Sequence, residues 1–180
     1  LNGAGKSSLL LSLMGIGPRV SGQIEWAGAR IDAWPAHRRA QAGLGFVAED
    51  RRLFTGLSVR ENLWIAARGD SKADTVRQFE RVLGLFPVLG QLINRSASQM
   101  SGGEQQLLAI ARTLMTRPRM LLLDEPCEGI APVLVQALRE VLLQLRGEGL
   151  SLLVAEQNHI LAAHADRVLV LTSGRLAPAA

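Results

Sequence analysis

At 180 residues the chain is long enough for one sizeable core and too short for two domains to be expected. Hydrophobic residues make up 48 % of it, which excludes a disordered or fibrous chain, and no apolar run approaches the roughly 20 residues of a membrane-spanning helix. The net charge of +4 is carried by scattered arginines. Pairs such as Arg38-Arg39 and Arg51-Arg52 read as solvated faces, and the basic clusters with interleaved aromatics that mark a nucleic-acid surface are missing. The single cysteine, Cys127, excludes an intramolecular disulfide and points to a reducing compartment.

The first element is a loop. Gly5-Lys6-Ser7 supplies the second half of the phosphate-binding pattern G-x-x-x-x-G-K-[ST], whose first glycine would precede Leu1. The expectation is therefore a fragment that starts inside the loop. A helix over Ser7–Met14 follows, ended by Gly15 and Pro18. Residues 21–28 alternate as one arm of a hairpin, and Gly45–Ala48 is a short apolar strand followed by the polar turn Glu49-Asp50-Arg51-Arg52.

From Val59 to about Ile93 the spacing of Val76, Phe79, Val82, Leu83 and Phe86 predicts helix, broken at Pro87 and Gly90. A helix over Gln106–Met115 stops before Pro118. Strand and helix then alternate: Met120–Leu123, Val133–Leu145, Leu150–Ala155, His159–Ala165, Val168–Leu171. Alternation of this kind predicts an α/β fold with a mainly parallel sheet flanked by helices. Residues of about 59–116 interrupt it as an inserted helical subdomain within one domain spanning 1–180.

Three motifs carry chemistry. The N–H groups of Asn2, Gly3, Ala4, Gly5, Lys6, Ser7 and Ser8, at a helix N-terminus, suit phosphate oxygens. Lys6 would reach the terminal phosphates and the Ser7 hydroxyl a Mg²⁺ ion. Alone, a G-K-S triplet is as readily an ordinary turn. The strand Met120-Leu121-Leu122-Leu123 ends in Asp124-Glu125, which puts carboxylates at the C-terminal edge of a parallel sheet, where ligands of such folds bind. Asp124 would hold Mg²⁺ and Glu125 would deprotonate an attacking water; a solvated acidic turn is the competing reading. Ser101-Gly102-Gly103-Glu104-Gln105 is a second anion-accepting helix start, or else an ordinary Ser/Gly cap.

Taken together, these motifs resemble the ATP-binding subunits of ABC transporters, whose signature is close to L-S-G-G-Q. The resemblance covers essentially the whole chain and implies a P-loop ATPase fold of the ABC type, with an inserted helical subdomain carrying the signature. It further implies ATP and Mg²⁺ as ligands. A head-to-tail pair of ATPase subunits, identical or paralogous, would place the Ser101–Gln105 turn over the nucleotide held by its partner. Transmembrane permease subunits and, indirectly, a substrate-binding protein complete the implied assembly at the cytoplasmic face of a bacterial membrane. No nucleic acid is expected, because ABC-type ATPases that act on DNA resemble this pattern but carry long coiled coils before the signature, and the stretch ahead of Ser101 is too short for them.

Two departures narrow the resemblance. Glu49 stands where most relatives have Gln, and Gln157 where most have His. Both are similar to the ATPase of branched-chain amino acid uptake, as are Ser58–Leu63, Gly103–Arg112 and Glu128–Pro132. Urea and amide importers are the alternative, and a regulatory subunit with degenerate hydrolysis is a second. The expected roles are Glu49 beside the metal with Ser7 and Asp124, Glu125 as base, and Gln157 as phosphate sensor. His159 is a weaker substitute for the missing imidazole. Trp26, Trp34 and Trp64 are expected to pack, and His37 and His164 lack metal-ligand spacing.

Overall fold

The computed structural model describes residues 3–18, 21–69, 71–157 and 159–178, with the side chain of His159 also outside the description. Asn2 lies outside the described residues. Helix α1 (Lys6–Met14) starts at Gly5, whose φ of 101° suits only glycine well, and ends at Gly15, also left-handed. The predicted hairpin forms from β1 (Glu25–Trp26) and β2 (Ala29–Arg30). Ala27 and Gly28 take positive φ in a two-residue turn matched to strand twist. Next come α2 (Ala36–Gln41) and β3 (Leu44–Val47).

The stretch expected as one broken helical run divides into α3 (Val59–Ile65), α4 (Lys72–Leu85) and α5 (Pro87–Gln91). Pro87 opens a helix rather than only closing one, since a first-turn position needs no N–H, and Gly90 lies inside α5. Helix α6 (Gly102–Leu114) begins four residues before the expected Gln106 because a capping box fixes its start: Ser101 and Glu104 exchange side-chain and backbone bonds.

Then follow β4 (Met120–Asp124), α7 (Pro132–Gly147), β5 (Ser151–Ala155), α8 (His159–Ala162), β6 (Leu169–Thr172) and β7 (Arg175–Pro178). Strand β4 lies between β3 and β5, parallel to both. The last predicted strand departs from the parallel pattern: among the described residues β6 pairs with β7, antiparallel. Ser173 and Gly174 both take positive φ and close a second two-residue turn, which folds the chain straight back.

Alternation along β4 divides the core. Leu121 and Leu123 face a large cluster with α3 to α7, including Leu63, Val82, Leu108, Ile110 and Leu138. Leu122 faces the other side, with Leu10 and Met14 of α1, Ile31 and Leu44. Gly45 admits α6 to this sheet, because an added Cβ would lie 2.9 Å from Thr113 Cγ2 and 3.0 Å from Pro118 Cβ. The result is a three-layer α/β arrangement, as expected for a parallel sheet.

Arg39 corrects one expectation. It is not part of a solvated face but is buried at 3 % exposure, donating to the carbonyls of Ser12, Leu13, Asp32 and Trp34 at 2.8–3.0 Å. An isolated Arg-Arg pair gives no sign of this, because the acceptors are backbone oxygens from two other segments, the end of α1 and residues 32–34.

Candidate functional site

The β4–β5 register sets the site. Asp124 lies opposite Ala155, and the Glu125 N–H donates to the Ala155 carbonyl at 2.8 Å, so residues 125 and 156–157 leave the sheet side by side. The start of α1 comes to the same edge. Lys6 Nζ is 2.8 Å from Glu125 Oε1, with the two side chains 18 % and 6 % exposed. Gln157 joins them, its Nε2 donating to Glu125 Oε1 and its backbone N–H to Oε2, each at 3.2 Å. Glu125 itself has φ 46°, a left-handed conformation uncommon outside glycine and concentrated at functional sites.

Charge follows from this packing. Burial pushes the Glu125 carboxyl up, but hydrogen bonds from Lys6, with Glu156 and from Gln157 outweigh it and hold the group below its usual range. Asp124 moves the other way: burial dominates and raises it, although Ser7 donates a hydrogen bond to it. Its Oδ1 is buried with no hydrogen-bond partner. Glu49 is raised by desolvation and by repulsion from Glu128, Asp124, Glu125 and Asp50. A partnerless buried carboxylate oxygen, a serine hydroxyl and surrounding negative charge fit a hard cation with oxygen ligands. Among the described residues no three His, Cys, Asp or Glu side chains converge closely enough to hold an ion by themselves. Phosphate oxygens and water would have to complete the sphere, as is usual for Mg²⁺.

The loop residues Gly3, Ala4 and Gly5 lead into α1, whose N-terminus has no side-chain cap, leaving the first-turn N–H groups for a ligand. Ser8 lies in that first turn and is exposed. The turn of the β6–β7 hairpin also meets this loop, with the Gly174 N–H donating to the Ala4 carbonyl at 3.3 Å.

The Ser101–Gln105 turn forms a separate cluster. Gln105 Nε2 donates to the carbonyls of Ala97 and Met100 at 2.9 and 3.3 Å. Gly103 packs against α7, where a Cβ would lie 2.4 Å from Leu134 Cδ1. Two residues here were not singled out from the sequence. Glu156 accepts the Cys127 N–H at 3.1 Å and the Gln157 N–H at 2.9 Å, tying the loop after Glu125 to the end of β5. Only the strand register reveals it. Arg51 spans from the Glu49 turn to α6.

A cavity of about 670 Å³ lies elsewhere, beside the N-terminal ends of β4 and β5. Three of its arginines pair with its own acids, Arg77 and Arg117 with Asp74 and Arg81 with Glu148, and Arg119 lies over the Trp26 ring. Trp26 and Trp34 pack as expected, Trp26 donating to the Ala42 carbonyl and Trp34 lying under Arg38, whereas Trp64 lies 5.5 Å from Phe79 but stays exposed.

Residues 1–128 match the ABC transporter family. The chain belongs to that family. It is an ABC-type ATPase subunit. It is 43 % identical over 176 residues to the high-affinity branched-chain amino acid transport ATP-binding protein BraG of Pseudomonas aeruginosa, covering 97 % of this chain and 76 % of that protein. A probable branched-chain amino acid transport ATP-binding protein, LivF of Archaeoglobus fulgidus, is 36 % identical over 98 % of this chain and 75 % of its own length. The lipopolysaccharide export ATP-binding protein LptB of Escherichia coli K12 is 32 % identical, over 97 % and 74 %.

Among solved structures, a nucleotide-free cassette from an ABC transporter superposes with a TM-score of 0.86 at 26 % identity, covering 98 % of this chain and 76 % of that one. A dimeric cassette in a post-hydrolysis state bound to ADP and Pi gives 0.85 at 22 % identity, over 99 % and 82 %, a likeness of fold. The parallel sheet with its flanking helices is therefore the ABC ATPase fold.

Proposed function

We propose that this ATPase powers an importer of branched-chain amino acids, with Glu125 as its general base. The observation that carries the chemical part is the convergence of Lys6, at 2.8 Å, and Gln157, at 3.2 Å, on the Glu125 carboxylate. The substrate class rests on the 43 % identity to BraG, against 32 % to the lipopolysaccharide exporter subunit, and on Glu49 and Gln157 at the two positions where the family most often has Gln and His. A urea or amide importer is the second reading.

Lys6 would exchange Glu125 for the terminal phosphate oxygens of ATP, and the N–H groups of the loop and first turn of α1 would bind the remainder. Asn2 belongs to that loop by sequence. Released from Lys6, the Glu125 carboxylate would take the proton of an attacking water, and Gln157 Nε2 would donate to the phosphate without moving a proton. Ser7 and Asp124 would hold Mg²⁺, with Glu49 adding charge beside it. A bound Mg²⁺ neutralises charge building on the phosphates. The Ser101–Gln105 turn would cover ATP held by a second ATPase subunit. Exposed Phe54, Trp64 and Ile65 on and beside α3 would meet permease subunits. No described helix is long and apolar enough to cross a membrane, consistent with a peripheral position.

The test is Mg²⁺-dependent hydrolysis by the intact natural protein. Glu125→Gln should lower kcat by about 100-fold or more while ATP still binds, in line with loss of a general base. If wild type binds ATP without turning it over, the regulatory reading replaces this one. Stimulation by leucine rather than urea, in vesicles carrying the membrane subunits and binding protein, decides the substrate class.

A further inference from the structure

Arg51 joins two parts of the molecule that lie 54 and 55 residues apart in sequence. Its φ of 61° is left-handed, and with Arg52 at 48° it turns the chain sharply after Glu49. From there its Nη1 donates to Gln105 Oε1 at 3.3 Å and its Nε to Gln106 Oε1 at 3.2 Å. Its carbonyl accepts from Arg112 Nη2 at 3.3 Å, about two turns further along α6. Gly102 leaves room for the guanidinium, since a Cβ there would lie 3.3 Å from Nη1. Gln105 passes the connection on, because its Nε2 binds the carbonyls of Ala97 and Met100, just before Ser101. Gln106 is 2 % exposed.

We propose that Arg51 is a positioning residue for ATP hydrolysis, fixing the Ser101–Gly103 turn relative to the acidic turn that carries Glu49. The proposal rests on the reading that the Ser101 turn meets a nucleotide. Two acceptors on consecutive helical residues point in different directions, and the planar fork of an arginine reaches both at once while the point charge of a lysine does not. A shift of the helix start by about 1 Å is enough to cost up to about 100-fold in rate.

Steady-state hydrolysis and ATP binding by the intact natural protein, for Arg51→Ala, Arg51→Lys and Ser101→Ala, test this together with amide hydrogen exchange. Arg51→Ala should lower kcat by about tenfold or more, leave the Kd for ATP at the Lys6 loop unchanged, and speed exchange at Gly102–Glu104 while the later turns of α6 stay protected. Arg51→Lys should recover only part of kcat. An unchanged kcat for Arg51→Ala beside an impaired Ser101→Ala overturns the proposal. So does a parallel fall of kcat, ATP binding and melting temperature, or failure to fold, since these mark a purely structural role. If Ser101→Ala is also unimpaired, the reading of the Ser101 turn has failed instead, and unchanged exchange at Gly102–Glu104 then overturns the clamp as well.

Discussion

Cys127 lies two residues after Glu125, and its thiol is buried and held protonated. Burial first, then Glu156 and Glu125, push its thiol up to about 12, so almost no thiolate exists at neutral pH. Iodoacetamide at pH 8 should leave the native protein unmodified and label Cys127 once the chain is unfolded in guanidinium; mass spectrometry reads the difference. Rapid native labelling would mean that the loop after Glu125 opens far more than its bond to Glu156 allows. At the same scale, Lys6, Asp124 and Glu125 were legible as residue types at telling positions. Glu156 was not, because its role depends on which strand lies beside β4 and in what register.

Two contacts decide how elements are held. The Arg39 guanidinium satisfies the last carbonyls of α1 and two more from the 32–34 segment. Arg39→Met takes this donor from the part-buried carbonyls of Leu13, Asp32 and Trp34, while Ser12 keeps the Gly15 N–H, and should cost about 2–4 kcal/mol in denaturant titration. At the start of α3, Ser58 and Glu61 form a capping box, and Ser58→Ala should cost about 1 kcal/mol. Bonds from the Ser58 side chain, then from its backbone, hold the Glu61 carboxyl below its ordinary value of 4.5. Its contribution is complete above pH 4.5 and is lost as pH falls through the lowered value. Acid titration should therefore destabilise wild type more than the Ser58→Ala protein in that window. The Ser-x-x-Glu spacing at Ser58 and at Ser101 is a local device that lies in the sequence, although the start of α6 was expected four residues later. The buried arginine was unreadable because its partners come from other elements.

The helical segment of about 59–116 does not have a core of its own. Val59, Leu63, Phe79 and Leu108 share one cluster with Leu121 and Leu123 of the sheet and with Leu138 and Leu142 of α7. Far-ultraviolet circular dichroism and tryptophan fluorescence should thus report a single coincident unfolding transition in the intact protein. Trp64 reports on the helical segment, and Trp26 and Trp34 on the opposite face of the sheet. Leu121→Ala, at a position fully buried between them, should lower that transition as a whole by about 2–5 kcal/mol. Two separated transitions would show that the inserted segment unfolds as an independent unit.

By itself the sequence determined the loop, the acidic strand, the Ser101 turn, the strand–helix alternation and the first hairpin. These depend on neighbours within a few residues: a glycine's φ, a cap, an apolar run of strand length. Only the tertiary structure decided that Lys6 pairs with Glu125, that Gln157 completes the same cluster, and that Arg39 and Arg51 bond to groups on other elements rather than standing as solvated charges. Those outcomes depend on which strand pairs with β4 and how closely α1 and α6 approach the sheet. Long-range packing sets them, and no local pattern encodes it.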